Sequence, residues 1–93
     1  MLQDIRIRVG KQVRIVSIDG IDWIEAQGDD VKIHAGTRTH LIRELLNTLE
    51  GRLEATVFLR IHRSAIIRLN SISSLCSLPN RDCAVILRNG TSL

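Results

Sequence analysis

Short β-compatible runs, each closed by a turn residue, set the limits on how this chain can fold. "IRIRV" (5–9) alternates apolar and charged residues, Gly10-Lys11 turns it, and "QVRIVSI" (12–18) reads as the return strand. Asp19-Gly20 is a second turn signal. "IDWIEAQ" (21–27) and "DVKIHA" (30–35) flank Gly28-Asp29, and Gly36 opens a further tight turn before "TRTHLI" (37–42). "VFLRIH" (57–62), "SISSLCSL" (71–78) and "CAVILRNGTSL" (83–93) extend the pattern, with Pro79-Asn80 between the last two. Strands of about six residues between Gly or Asp turns predict a mostly β, antiparallel body.

One helix interrupts the strands. "IRELLNTLEGRL" carries Leu45, Leu46, Leu49 and Leu53 on a single apolar stripe, which predicts a helix over 43–50 with Gly51 near its C-cap. Asn89-Gly90 predicts a type I′ hairpin, yet only Thr91, Ser92 and Leu93 follow it. Residues 1–93 are therefore expected to be one domain trimmed at its C-terminus.

With one Trp, one Phe and no Tyr, the core has to be built from Ile, Leu and Val. No apolar run approaches the eighteen or so residues of a membrane span, and the N-terminus lacks a signal-peptide core, so a cytoplasmic location without membrane contact is expected. Cys76 and Cys83 fit neither a CxxC motif nor a zinc site and are expected to be small, buried, reduced thiols.

Catalysis finds little support. His34, His40 and His62 have no metal-ligand spacing, Asp29-Asp30 sits in a turn where Asp is at home, and no phosphate-cradling glycine loop exists. Ser64 follows His62 by two residues, which reads as poorly placed for a nucleophile–base pair. The expectation is a non-enzyme with no cofactor and no metal.

The strongest chemical signal is "FLRIHRSAIIRLNSI" (58–72). Phe58, Ile61, Ile66, Ile67, Leu69 and Ile72 supply core, yet Arg60, His62, Arg63, Ser64 and Arg68 interrupt them. No acid lies between Glu54 and Asp82. Residues 57–93 hold five Arg against Asp82 alone, whereas residues 1–56 are nearly balanced. Arginine forks match phosphate and base edges, and Ser64, read as N-capping a short turn over "AIIR", adds a donor. Alternatively, Arg60 and Arg68 pair with carboxylates such as Glu25 or Asp22, and His62 fills a core niche.

This stretch resembles the LytTR DNA-binding domain, the output module of many bacterial response regulators. Phe58, Arg60, His62, Arg63, Ser64, Ile67, Leu69 and Ile72 match its Phe-x-Arg-x-His-Arg-Ser pattern and the hydrophobic positions after it. "IDWIEAQGDDVKIH" is similar to the family's strand pair, "LIRELLNTLEGRL" to its short helix and "LRNGTSL" to its last hairpin. Arg68 stands where the family usually has Asn, Trp23 where it often has Tyr, and Ala65 where an aromatic is common.

The resemblance implies antiparallel strands in about three small sheets with one or two short helices. It also implies sequence-specific binding of double-stranded DNA, at promoter repeats, by inter-strand loops in successive grooves. A homodimer on DNA and an upstream receiver or sensor domain belong to the same picture. The loop at Gly28 to Val31 and the one at Arg63-Ser64 match two DNA-facing elements, and a third would lie beyond Leu93. Arg63 is then expected to read a base edge or narrow minor groove, with Ser64 and His62 at the backbone. Asp30 would accept from a cytosine amino group or, preferably, cap its turn, and Arg60 and Arg68 complete the set. An RNA-binding β domain and a protein-interaction module remain as alternatives. The near absence of aromatics weighs against the first, because it removes the usual base-stacking platform.

Overall fold

The computed structural model describes residues 4–77 and 83–93; the Pro79-Asn80 turn expected from the sequence lies outside them. The described strands form three antiparallel sheets. The first is the hairpin of β1 (Asp4–Val9) and β2 (Gln12–Ser17), turned at Gly10 with φ +63°, a left-handed conformation that glycine adopts freely. Its alternation puts Ile5, Ile7 and Val16 on the buried face and Arg6, Arg8 and Ile15 in solvent.

The central sheet contains β3 (Trp23–Gln27), β4 (Asp30–Ala35), β5 (Arg38–Ile42), β6 (Phe58–His62) and β7 (Ala65–Arg68), in the spatial order β5-β4-β3-β7-β6. Both of its faces are covered. Ile24, Val31, Ile33, Phe58 and Ile66 form one core with Ile5, Ile7 and Val16 of the first hairpin and with Leu46 and Leu49 of α1 (Leu46–Glu50). On the other face Trp23 and Ile67 meet Val85 and Leu87 of β9 (Cys83–Leu87), which pairs with β8 (Ile72–Ser77) in the third sheet. Full burial of each such aliphatic side chain contributes about 1.5–3 kcal/mol, so the fold rests on these two cores.

The helix is shorter than its leucine spacing predicts. Leu45 is extended (φ −81°, ψ 140°), 67% exposed, and stands outside the helix as its N-cap. Five residues cannot sustain a helix alone. Leu46 and Leu49, both buried, hold this one against the sheet, and Leu53 packs half-buried beyond Gly51.

Four further expectations are corrected. "AIIR" is strand β7, because Ala65, Ile66 and Ile67 are buried on two sheet faces, and the tight helical turn falls later at Leu69–Ser71. That turn leaves Leu69 41% exposed, outside the core. The last hairpin closes through a three-residue loop instead of a type I′ turn. Leu87 bonds Thr91, Gly90 N–H reaches the Leu87 carbonyl at 2.9 Å, and Gly90 takes φ +91°. Three residues suffice to start the return strand, since Val85 and Leu93 exchange both backbone bonds.

Cys76, expected to be buried, is exposed on β8. Alkylation of the folded protein should therefore modify Cys76 without denaturant; protection until unfolding would contradict this exposure.

Candidate nucleic-acid interface

Strand order brings together turns that are far apart in sequence. The β3–β4 turn (28–29) and the β6–β7 turn (63–64) lie at the same end of the central sheet because β3 and β7 are neighbours, with Glu25 opposite Ala65. The Ala26 N–H donates to the Ser64 carbonyl at 2.8 Å and ties one turn to the other. Gly28 holds φ +63°, which lets the first turn close tightly.

Arg63 is exposed at this end, and its guanidinium has no hydrogen-bond or ionic partner among the described residues. A fork left unpaired at a turn tip is available to an external acceptor. Asp30 is half-exposed at the start of β4, and its carboxylate makes no bond to the turn it was expected to cap.

His62 and Ser64 do meet, contrary to the expectation from their spacing. The ladder shifts between Arg60 and His62, and the tight return places His62 Nδ1 2.7 Å from Ser64 Oγ and 3.2 Å from the Ser64 backbone N–H. The backbone N–H can only donate, so Nδ1 accepts, and the neutral ring carries its hydrogen on Nε2 as an exposed donor. The 2.7 Å contact is within nucleophile–base reach, but among the described residues no third group bonds Nε2 to orient the ring as such a base. The pair reads as a locked turn.

Arg60 and Arg68 have internal partners, though not the carboxylates considered from the sequence. Arg60 donates to the carbonyls of His62 (3.2 Å) and Arg63 (2.5 Å), to Asn47 Oδ1, and to Glu50 Oε1 at 3.1 Å. Arg68 donates from Nε to the Ile21 carbonyl at 2.7 Å and from Nη2 to the Ile18 carbonyl, and its guanidinium lies 4.8 Å over the Phe58 ring. Glu25 instead meets His34 Nε2 at 2.8 Å, and Asp22 accepts from Gly36 N–H at 3.0 Å. Register explains how apolar and cationic residues share one segment: Phe58 lies opposite Arg68 and Arg60 opposite Ile66, so the two arginines occupy the same sheet face as core residues.

Two features escaped the sequence reading. Arg43 follows β5 directly, and because Ile42 pairs with Val31, Arg43 flanks Asp30 at the same end of the sheet, exposed and without a partner among the described residues. Only the β4–β5 register reveals it. His34 stacks on Trp23 with ring centroids 4.1 Å apart, a contact between directly opposed strand residues. Beside the His62–Ser64 turn, a cavity of about 510 Å³ opens between Trp23, Ala65, Leu75 and Val85.

The family model for the LytTr DNA-binding domain matches residues 11–93. This chain belongs to that family. It is 30% identical over 91 residues to the transcriptional regulatory protein LytR of Staphylococcus aureus (strain N315), covering 98% of this chain and 37% of that protein. It is 32% identical over 79 residues to the sensory transduction protein LytR of Streptococcus agalactiae, covering 83% of this chain and 32% of the relative. The chain thus spans about a third of the length of these curated relatives. Its fold superimposes on the LytTr DNA-binding domain of a putative methyl-accepting/DNA response regulator from Bacillus cereus with a TM-score of 0.88. That likeness covers 100% of this chain and 85% of the other at 19% identity. The LytTR resemblance read from residues 58–72 and the three-sheet antiparallel fold it implied are both borne out. Among the described residues no helix is long and apolar enough to cross a membrane.

Proposed function

We propose that this LytTR domain binds double-stranded DNA sequence-specifically through the paired turns at one end of its central sheet, as the output part of a transcriptional regulator. The observation that carries the reading is the Ala26–Ser64 tie, which sets the Gly28-Asp29 and Arg63-Ser64 turns side by side below an unpaired Arg63. Two strand spacings separate the turns, about 10 Å, within the roughly 12 Å width of a major groove. Both turns then serve one groove, and a neighbouring groove would be met by another element.

In this arrangement Arg63 places its two-pronged fork on a base edge, the commonest specific contact being to guanine. His62 Nε2–H and Arg43 reach phosphate oxygens, and Ser64 orients His62. Asp30, uncapped, accepts from a cytosine amino group. Arg60 and Arg68, whose guanidinium groups are bonded within the domain, support the fold around these contacts. A homodimer on promoter repeats, a cytoplasmic setting and an upstream receiver or sensor domain fit the regulators that the chain matches over about a third of their length.

Salt dependence is the first test. Arg60 and Glu50 neutralise each other, so among the described residues Arg63 and Arg43 are the free guanidinium groups at this end. Two phosphate-type contacts predict that log affinity for a non-specific duplex falls with log salt at a slope of about −2, with duplex bound more tightly than single strand. A preference for single strands, or salt-insensitive binding, would reject duplex binding by this surface.

A further inference from the structure

Arg60 is bonded so as to hold one of the two turns in place. Arg60 lies at the middle of β6, and its guanidinium reaches in two directions. Towards the turn it donates to two successive main-chain carbonyls, those of His62 and Arg63, at 3.2 and 2.5 Å. Towards the helix it donates to Asn47 Oδ1 and, at 3.1 Å, to Glu50 Oε1. Nε, Nη1 and Nη2 are all engaged. We infer that Arg60 is a positioning residue, through which α1 fixes the conformation of the Arg63-Ser64 turn and so the aim of the Arg63 side chain. This rests on the reading of that turn as the DNA contact.

Three physical points support it. A planar fork can bind two adjacent carbonyls and two side chains at once, which an ammonium on a flexible stem cannot. The Glu50 carboxylate cancels the Arg60 charge at contact distance, so the pair offers little net attraction to a phosphate. Finally, the β6–β7 ladder shifts register between Arg60 and His62 and ends at the His62–Ala65 pair, so the Arg63 carbonyl lies in the turn beyond the ladder, where Arg60 holds it. The helix needs the contact as well. With five residues it is too short to persist by itself, and Arg60 joins Leu46 and Leu49 in keeping it on the sheet.

The experiment compares Arg60→Gln, Arg60→Lys, Asn47→Ala and Arg63→Ala in binding to one specific duplex over a salt series, with amide hydrogen exchange on each free protein. Arg60→Gln is expected to weaken specific binding on the order of tenfold, as loss of a charge-assisted hydrogen-bond set would, with the salt slope unchanged. Arg60→Lys should lose nearly as much, despite keeping its charge. Asn47→Ala, which removes no charge, should lose part of it, and combining it with Arg60→Gln should add little further. Exchange at the amides of 63 and 64 should speed up in the Arg60 variants and stay at the wild-type rate in Arg63→Ala. A slope flattened by about one unit in Arg60→Gln and restored in Arg60→Lys makes Arg60 a phosphate contact and overturns the inference. So does unchanged exchange at 63 and 64. If Arg60→Gln unfolds, Asn47→Ala carries the test, and wild-type affinity and exchange in that variant overturn the inference equally. The reading beneath it fails by a different sign, wild-type affinity in Arg63→Ala.

Discussion

Replacing Arg63 by alanine is expected to weaken binding to a specific duplex by about tenfold to a hundredfold or more, since a bidentate arginine–base contact supplies roughly 1–3 kcal/mol of discrimination. The side chain is exposed and has no partner among the described residues, so its removal takes nothing from either core. Surface substitutions of this kind usually shift stability by less than about 0.5 kcal/mol, and the thermal midpoint should stay where it is. The Arg63 main chain also stays in place, because its carbonyl is held by Arg60 and not by its own side chain. Non-specific affinity should fall less, because only the Arg63 charge and no base contact is lost there, and its salt slope should flatten by about one unit. Arg38 provides the control. It is also exposed and lacks a partner among the described residues, but it starts β5 opposite Ala35, at the far end of the same sheet. Arg38→Ala should leave specific binding within about twofold of wild type, well below the tenfold that one strong contact represents. Equal losses in the two variants would mean that the domain binds by diffuse charge, and intact affinity in Arg63→Ala would remove this end of the sheet from the interface.

The alternating runs and their Gly or Asp turns were legible because strand burial has a period of two and the residues that turn it are few. "DVKIHA" became β4 over Asp30–Ala35, the same limits its pattern indicates. Leucine spacing overstated the helix, since a stripe of period 3.6 does not say whether its first member lies in a helix or just ahead of it. Leu45 lies ahead. Charge counting also misled in a specific way. A segment without acids suggested cations free for an external partner, but Arg60 and Arg68 found main-chain carbonyls, which every residue carries and no composition displays. The meeting of His62 Nδ1 with Ser64 Oγ depended on a ladder shift that no residue type announces. Juxtaposition of residues 28–29 with 63–64 needed the β3–β7 pairing, a contact across about forty residues that no local pattern displays.

Arg68 was grouped with the DNA contacts by its sequence neighbourhood, and its surroundings predict the larger change in stability. The guanidinium lies against Phe58 and donates to the carbonyls of Ile18 and Ile21, the two ends of the link between β2 and β3. Both of those residues are buried, and Ile21 is fully so. Arg68→Ala leaves the Ile21 carbonyl without its charged donor, at roughly 1–3 kcal/mol, while the Ile18 carbonyl keeps the Ile21 N–H at 3.1 Å; it also loses a cation–π contact of about 0.5–1 kcal/mol. A destabilisation of about 3 kcal/mol is expected. With about 4–8 °C per kcal/mol for a domain of this size, the thermal midpoint should drop by about 10–25 °C. Arg68→Lys should recover only part of this, since one ammonium cannot match the fork's reach to both carbonyls while lying flat on the ring. Duplex binding, measured well below the lowered midpoint, should keep the wild-type salt slope, because Arg68 sits at the end of β7 away from the paired turns. An unshifted midpoint together with a slope flattened by about one unit would place Arg68 on a phosphate, and the contact surface would then extend along β7.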